Sequence, residues 1–211
     1  LACRRLIFGN VKICGLTTPE MAHRAAASGA SYGGLIFAPA SKRCVSELQA
    51  ATITNTQALD FVGVFVDAET TEVARLAKAL GLAAVQLHGS EDAAYINALR
   101  PQLPASCQIW KAHRIHDQLP DFSQWPADRQ LLDTFSAAAH GGTGERFDWG
   151  LLKDHPERHK LMLAGGLSPA NVGEARATGV WGLDVNSGVE TSPGVKSSNL
   201  LAALHHQLRS Y

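Results

Sequence analysis

The sequence predicts an α/β fold, a single (β/α)8 barrel with parallel strands. Short runs rich in Val, Ile, Leu and aromatic residues recur eight times along 211 residues. The stretches between them mostly carry the apolar spacing of amphipathic helices, and residues able to do acid-base chemistry close several of the runs. Runs that are apolar on both faces and alternate with helices pair in parallel through right-handed crossovers. An open doubly wound sheet is the other arrangement with this alternation.

The strand-like runs are 11–16, 32–37, 61–66, 83–88, 108–112, 130–133, 160–164 and 181–185. Helical stretches are expected over 19–28, 45–59, 69–80, 91–99, 147–153, 169–178 and 198–208. Thr18-Pro19, Ser90-Glu91 and Ser168-Pro169 read as helix starts, because a hydroxyl can accept an otherwise unpaired amide and Pro lacks that amide. The weakest connection is 114–129, where proline-interrupted polar segments replace an apolar stripe, so a fifth helix there is short or displaced.

Composition bounds the function. With 45% apolar and 18% charged residues, the chain can build one core. Nineteen basic and nineteen acidic residues cancel, which argues against a general attraction to nucleic acid or an anionic membrane. Cys3, Cys14, Cys44 and Cys107 lie far apart, at neither zinc-ligand nor disulfide-framework spacing, and fit a reducing cytoplasm. No apolar run reaches the roughly 20 residues that cross a bilayer.

In such barrels the active site gathers at the C-terminal strand ends. Those positions hold Cys14, the loop with Arg43, Asp67, His88, Lys111 with His113, Asp133, Gly165-Gly166 and 184–188. Glycine loops and helix starts can cradle an anion with backbone N–H groups, so Gly165, Gly166, Ser187 and Gly188 read as a phosphate site; tight turns alone are the alternative, disfavoured because two such loops follow consecutive strands. Cys14 by itself reads more readily as a small core residue than as a nucleophile or base. Asp133 closes an apolar strand, where a carboxylate is costly unless partnered or used. Together, a thiol and a carboxyl at one barrel mouth suit a reaction in which one group removes a proton and the other supplies one.

Several motifs extend this reading: Lys12-Ile13-Cys14-Gly15, Ser41-Lys42-Arg43, Gln86-Leu87-His88-Gly89, Gly141-Gly142-Thr143-Gly144, Leu163-Ala164-Gly165-Gly166-Leu167 and Asp184-Val185-Asn186-Ser187-Gly188-Val189-Glu190. In this order they resemble the phosphoribosylanthranilate isomerase family of tryptophan biosynthesis, whose members are TIM barrels. The resemblance implies an Amadori rearrangement of N-(5′-phosphoribosyl)anthranilate, without metal or organic cofactor. It implies Cys14 as general base and Asp133 as general acid, and Arg43 on the anthranilate carboxylate. It also places the phosphate on Gly165, Gly166, Ser187 and Gly188, and Asp184 near the sugar hydroxyls. Gln86 and His88 are expected to line the pocket, with His88 as readily structural, and Gly142 to belong to a lid.

The first ten residues resemble the join in two-domain enzymes where indole-3-glycerol-phosphate synthase precedes the isomerase. Residues 1–10 are therefore expected to be an extension or linker and 11–211 the isomerase barrel, possible partner of a fused synthase. Two other functions share the phosphate loops. A metal-dependent phosphosugar isomerase or epimerase would need converging His and Asp ligands, and a non-catalytic phosphate-binding domain would have no use for both Cys14 and Asp133.

Overall fold

Eight parallel strands close on themselves in the computed structural model, which describes residues 10–115, 118–134 and 148–209. They are β1 (Asn10–Ile13), β2 (Tyr32–Ile36), β3 (Asp60–Phe65), β4 (Ala84–Leu87), β5 (Gln108–Ile115), β6 (Arg129–Thr134), β7 (Leu161–Ala164) and β8 (Gly182–Val185). Each pairs with its sequence neighbour, and β8 pairs with β1 to shut the barrel, with Lys12 opposite Asp184. The closed arrangement, not the open sheet, is the one formed.

Side chains alternate across a strand, and this alternation sorts the residues into two layers. Val11 and Ile13 join the large apolar cluster that packs between barrel and helices. Their neighbours face inward. At the N-terminal end the interior is filled by Val62, Ala84, Trp110, Leu131 and Met162, with Tyr32 and Trp181 packed against them. The ring centroids of Tyr32 and Trp110 lie 5.1 Å apart in edge-on geometry, and those of Trp110 and Trp181 lie 5.7 Å apart. This floor closes the barrel below the mouth.

The outer layer holds α1 (Pro19–Ala27), α2 (Glu47–Thr54), α3 (Thr70–Leu80), α4 (Ala93–Leu99), α5 (Gly150–Lys153), α6 (Val172–Ala177) and α7 (Ser198–Arg209). Thr18 caps α1 as expected, its hydroxyl accepting the Met21 N–H at 3.2 Å. Ser46 and Gln49 form a reciprocal capping box at α2.

Two expected helix starts are corrected. Asp92 caps α4 by accepting the Tyr95 N–H, while Ser90 donates its N–H and hydroxyl to Asp67. Ser168 opens a turn instead of a helix: its N–H donates to Asn171 Oδ1, its carbonyl accepts from Val172, and α6 begins only there. Between β5 and β6 the described residues form no α-helix. A single 3-10 turn, Phe122–Gln124, stands in its place. Pro120 and Pro126 bracket a segment too short to nucleate an α-helix and interrupt its backbone donors. After β8 an unexpected hairpin follows, β9 (Glu190–Ser192) with β10 (Val195–Lys196).

Candidate active site

A cavity of about 490 Å³ opens at the C-terminal strand ends. Cys14, Gln86, His88, Asp133, Gly165, Gly166, Asp184 and Ser187 all line it, drawn from β1, β4, β6, β7 and β8 or the residues just after them. The alternation that sets the barrel floor also explains this convergence. Gln86 and His88, and Leu131 and Asp133, are two apart and share a face, as do Lys12 and Cys14.

Polar groups here are chained together. Lys12, wholly buried, donates from Nζ to Gln86 Oε1 at 2.7 Å and to Asp184 Oδ2 at 2.8 Å. The Gln86 amide Nε2 lies 2.9 Å from His88 Nδ1, and His88 Nε2 lies 3.1 Å from Asp133 Oδ2. Asp184 Oδ1 is buried with no hydrogen-bond partner among the described residues. An unpaired carboxylate oxygen in a cavity is an acceptor awaiting a donor.

Electrostatics distinguish the groups. Burial would lower the Lys12 pKa, but the Asp184 carboxylate and Cys14 outweigh it, so Lys12 is held above the ordinary lysine value and charged. Burial pushes the Cys14 thiol up, against the opposing pull of Lys12 and Lys196. The pocket therefore favours the neutral thiol when no ligand is present.

The loops after β7 and β8 meet at the proposed phosphate end. Gly165 and Gly166 have φ of 85° and 66°, the left-handed region that favours glycine. Gly188 does not line the cavity; it backs onto the β7 loop, where an added Cβ would stand 1.9 Å from the Leu167 carbonyl oxygen. Its lack of a side chain lets the two loops touch.

Arg43 also lies outside the cavity lining, although Ser41 from the same loop is part of it. Its Nε sits 2.9 and 3.1 Å from the two Glu190 oxygens, and Nη2 contacts the same carboxylate. Lys196 Nζ adds bonds to Glu190 at 2.8 Å and to the Asn186 side chain at 2.9 Å. Burial would raise the Glu190 pKa, but Arg43 and Lys196 together hold it below the ordinary glutamate value.

Lys111 and His113 belong elsewhere. Trp110 and Ala112 occupy the interior, so their neighbours point out: Lys111 pairs with Glu91 at 2.9 Å and His113 with Gln130 at 2.7 Å. Burial lowers the His113 pKa and favours a neutral ring. Asp67 ties the β3 and β4 loops through Ser90. Gly142 and the expected lid lie outside the described residues. Among the described residues no three His, Cys, Asp or Glu side chains gather where one ion could be shared.

Sequence reasoning missed Lys12, Glu190 and Lys196 as members of this assembly. A lysine between Val11 and Ile13 in an apolar strand was the available signal for the first. The other two become meaningful only when the hairpin folds back on the mouth.

Residues 11–207 match the family described as N-(5′phosphoribosyl)anthranilate (PRA) isomerase. The whole chain aligns at 48% identity with the tryptophan biosynthesis protein TrpCF of Vibrio cholerae and at 46% with that of Salmonella typhi. It spans 44% and 45% of those relatives, less than half their length. The phosphoribosyl anthranilate isomerase of Thermus thermophilus superposes with a TM-score of 0.81 at 35% identity, covering 95% of this chain and 98% of that one. An isomerase solved with reduced 1-(o-carboxyphenylamino)-1-deoxyribulose 5-phosphate superposes at 0.79 and 30% identity, covering 96% and 100%.

Proposed function

The chain belongs to the N-(5′-phosphoribosyl)anthranilate isomerase family of tryptophan biosynthesis, and from that premise we propose that Cys14 and Asp133 are the base and acid of its Amadori rearrangement. The observation that carries the proposal is their convergence, from β1 and β6, on one cavity that also holds Gly165, Gly166 and Ser187.

The reaction turns N-(5′-phosphoribosyl)anthranilate into 1-(o-carboxyphenylamino)-1-deoxyribulose 5-phosphate. Asp133 gives its proton to the ribose ring oxygen as the bond from that oxygen to C1′ breaks. The anilino nitrogen lone pair forms the new double bond, leaving a protonated Schiff base. That cation acidifies the C2′ hydrogen, and the Cys14 thiolate removes it to give an enolamine. Loss of the enol proton and protonation of C1′ then yield the ketone. Because burial favours the neutral thiol, the thiolate forms against it, and Lys12 and Lys196 supply the countercharge.

Binding follows the remaining groups. The loops carrying Gly165, Gly166 and Ser187 take the phosphate, with Gly188 holding them together. Asp184 Oδ1 accepts from a sugar hydroxyl. Glu190 takes the Nε and Nη2 side of Arg43, and Nη1, which has no partner among the described residues, is offered to the anthranilate carboxylate.

Loss of anthranilate fluorescence is the direct test: freshly generated substrate is mixed with the purified chain in excess chelator. Loss faster than spontaneous hydrolysis, with the ketose as product, supports the isomerase and its independence of metal. A folded sample without that activity returns the chain to another phosphosugar reaction or to phosphate binding alone.

The wider setting is also a proposal. Relatives more than twice as long support an indole-3-glycerol-phosphate synthase domain joined ahead of an isomerase unit at 11–211, which the mass of the native polypeptide checks. No helix among the described residues is long and apolar enough to cross a membrane. Separately, the free cysteines Cys14, Cys44 and Cys107 support a reducing, cytoplasmic setting.

A further inference from the structure

We propose that Lys12, Gln86 and His88 form a positioning relay that decides which oxygen of Asp133 carries the acid proton. This rests on the reading of Asp133 as the acid. The chain of bonds begins at the buried ammonium of Lys12. Lys12 has only donors, so the Gln86 atom 2.7 Å from it is the carboxamide oxygen. The Gln86 amide nitrogen must then face His88 Nδ1, 2.9 Å away, and it too has only donors. Nδ1 is therefore the bare nitrogen of a neutral imidazole, and the ring hydrogen sits on Nε2.

That hydrogen is donated to Asp133 Oδ2 at 3.1 Å. In a carboxylic acid the carbonyl-type oxygen is the better acceptor, so Oδ2 takes the His88 bond and the transferable proton resides on Oδ1. Oδ1 has no hydrogen-bond partner among the described residues, and Asp133 lines the substrate cavity. The imidazole tautomer is usually set by whatever its other nitrogen meets. Here that choice is traced through two links to a lysine on the opposite wall of the barrel.

The relay orients and does not conduct. A carboxamide passes protons poorly, so Gln86 transmits the polarity set by Lys12 while keeping the ammonium proton from His88. Base and acid remain separate, although Cys14 stands two residues from the lysine that begins the chain. Lys12, Gln86 and His88 are thus positioning residues: they act through Asp133 and need no contact with the reacting atoms.

Nitrogen NMR of the 15N-histidine-labelled protein reads the tautomer directly. His88 should show a bare Nδ1 and a protonated Nε2, and Gln86→Glu, which presents an acceptor to Nδ1, should reverse the two. In that variant kcat should fall by about 100-fold with KM changed little, the low end of what a positioned acid contributes. His88→Leu should lose a similar factor, whereas His88→Gln, whose amide can reach Oδ2 as a donor, should recover most of it. A wild-type ring protonated on Nδ1, or full kcat in His88→Leu, overturns the relay. Asp133→Asn separates the two readings: unchanged turnover there overturns the acid assignment, while the tautomer still reports on the relay itself.

Discussion

The floor and the mouth of the barrel are built from the same eight strands, yet they are opposite kinds of interior. Trp110, Met162 and Leu131 fill the floor with Tyr32 and Trp181 against them, and its contacts are dispersion and ring geometry. One step up, inward positions are held by the partly exposed Asp133 and by Lys12, Gln86 and Asp184, whose burial is tolerable only because each charge or dipole meets another. The apolar layer supplies rigidity without chemistry. The polar layer carries the groups proposed for the chemistry and borrows its rigidity from the layer below.

Substitutions at the two levels should therefore separate activity from stability. Cys14→Ser and Asp133→Asn should each cut kcat by about 100- to 10,000-fold while leaving affinity for a product analogue comparatively intact; large affinity losses with normal turnover would contradict both roles. Trp110→Ala should do the reverse, costing about 3 to 5 kcal/mol in denaturant unfolding with near-normal turnover per folded molecule. A floor variant that lost turnover while remaining fully stable would break the division.

Lys12→Met tests where the two levels meet. It leaves the buried Asp184 carboxylate without its cation, so a stability loss of about 3 kcal/mol is expected together with reduced turnover. Arg43→Ala should mainly raise KM, by about tenfold, as expected for losing one charge-assisted contact. A normal KM would remove the carboxylate contact from the scheme.

The smallest effect concerns pH. Because burial holds the Cys14 thiol pKa high, kcat/KM should climb into the alkaline range as the thiolate forms. A thiol with a raised folded-state pKa contributes stability that is full below its unfolded value, about 8.5, and is lost as pH rises through the folded one. Thermal melting of the protein and of Cys14→Ala should diverge less as pH rises past that value. Parallel curves throughout would show that Cys14 titrates alike in both states.

Eight strands were legible because each apolar run is local, and so were the strand-end positions of Cys14, Asp133, Gly165 and Asp184. Helix starts were less so: a hydroxyl before an acidic residue or a proline reads as a cap, but Ser90 and Ser168 spend their hydrogen bonds on turns. The binding loops were hardest, because their partners are remote. Arg43 was visible as a cation on the right loop, but Glu190, which orients it, lies 147 positions away and follows no spacing rule. Lys12 sits in a recognisable motif with no role visible in the sequence, since a lone lysine in a strand gains its partners only when Gln86 and Asp184 converge on it.

The clasp between Arg43 and Glu190 also sets an order of assembly. Arg43 belongs to the loop after the second barrel strand, but the carboxylate that orients it comes after the last barrel strand, and Lys196 comes later still. A folding chain can bring Cys14 and Asp133 to one mouth and still leave Arg43 unoriented until the closing hairpin docks. If Arg43 is the carboxylate anchor proposed above, binding depends on the docking of this hairpin as much as on the closure of the barrel.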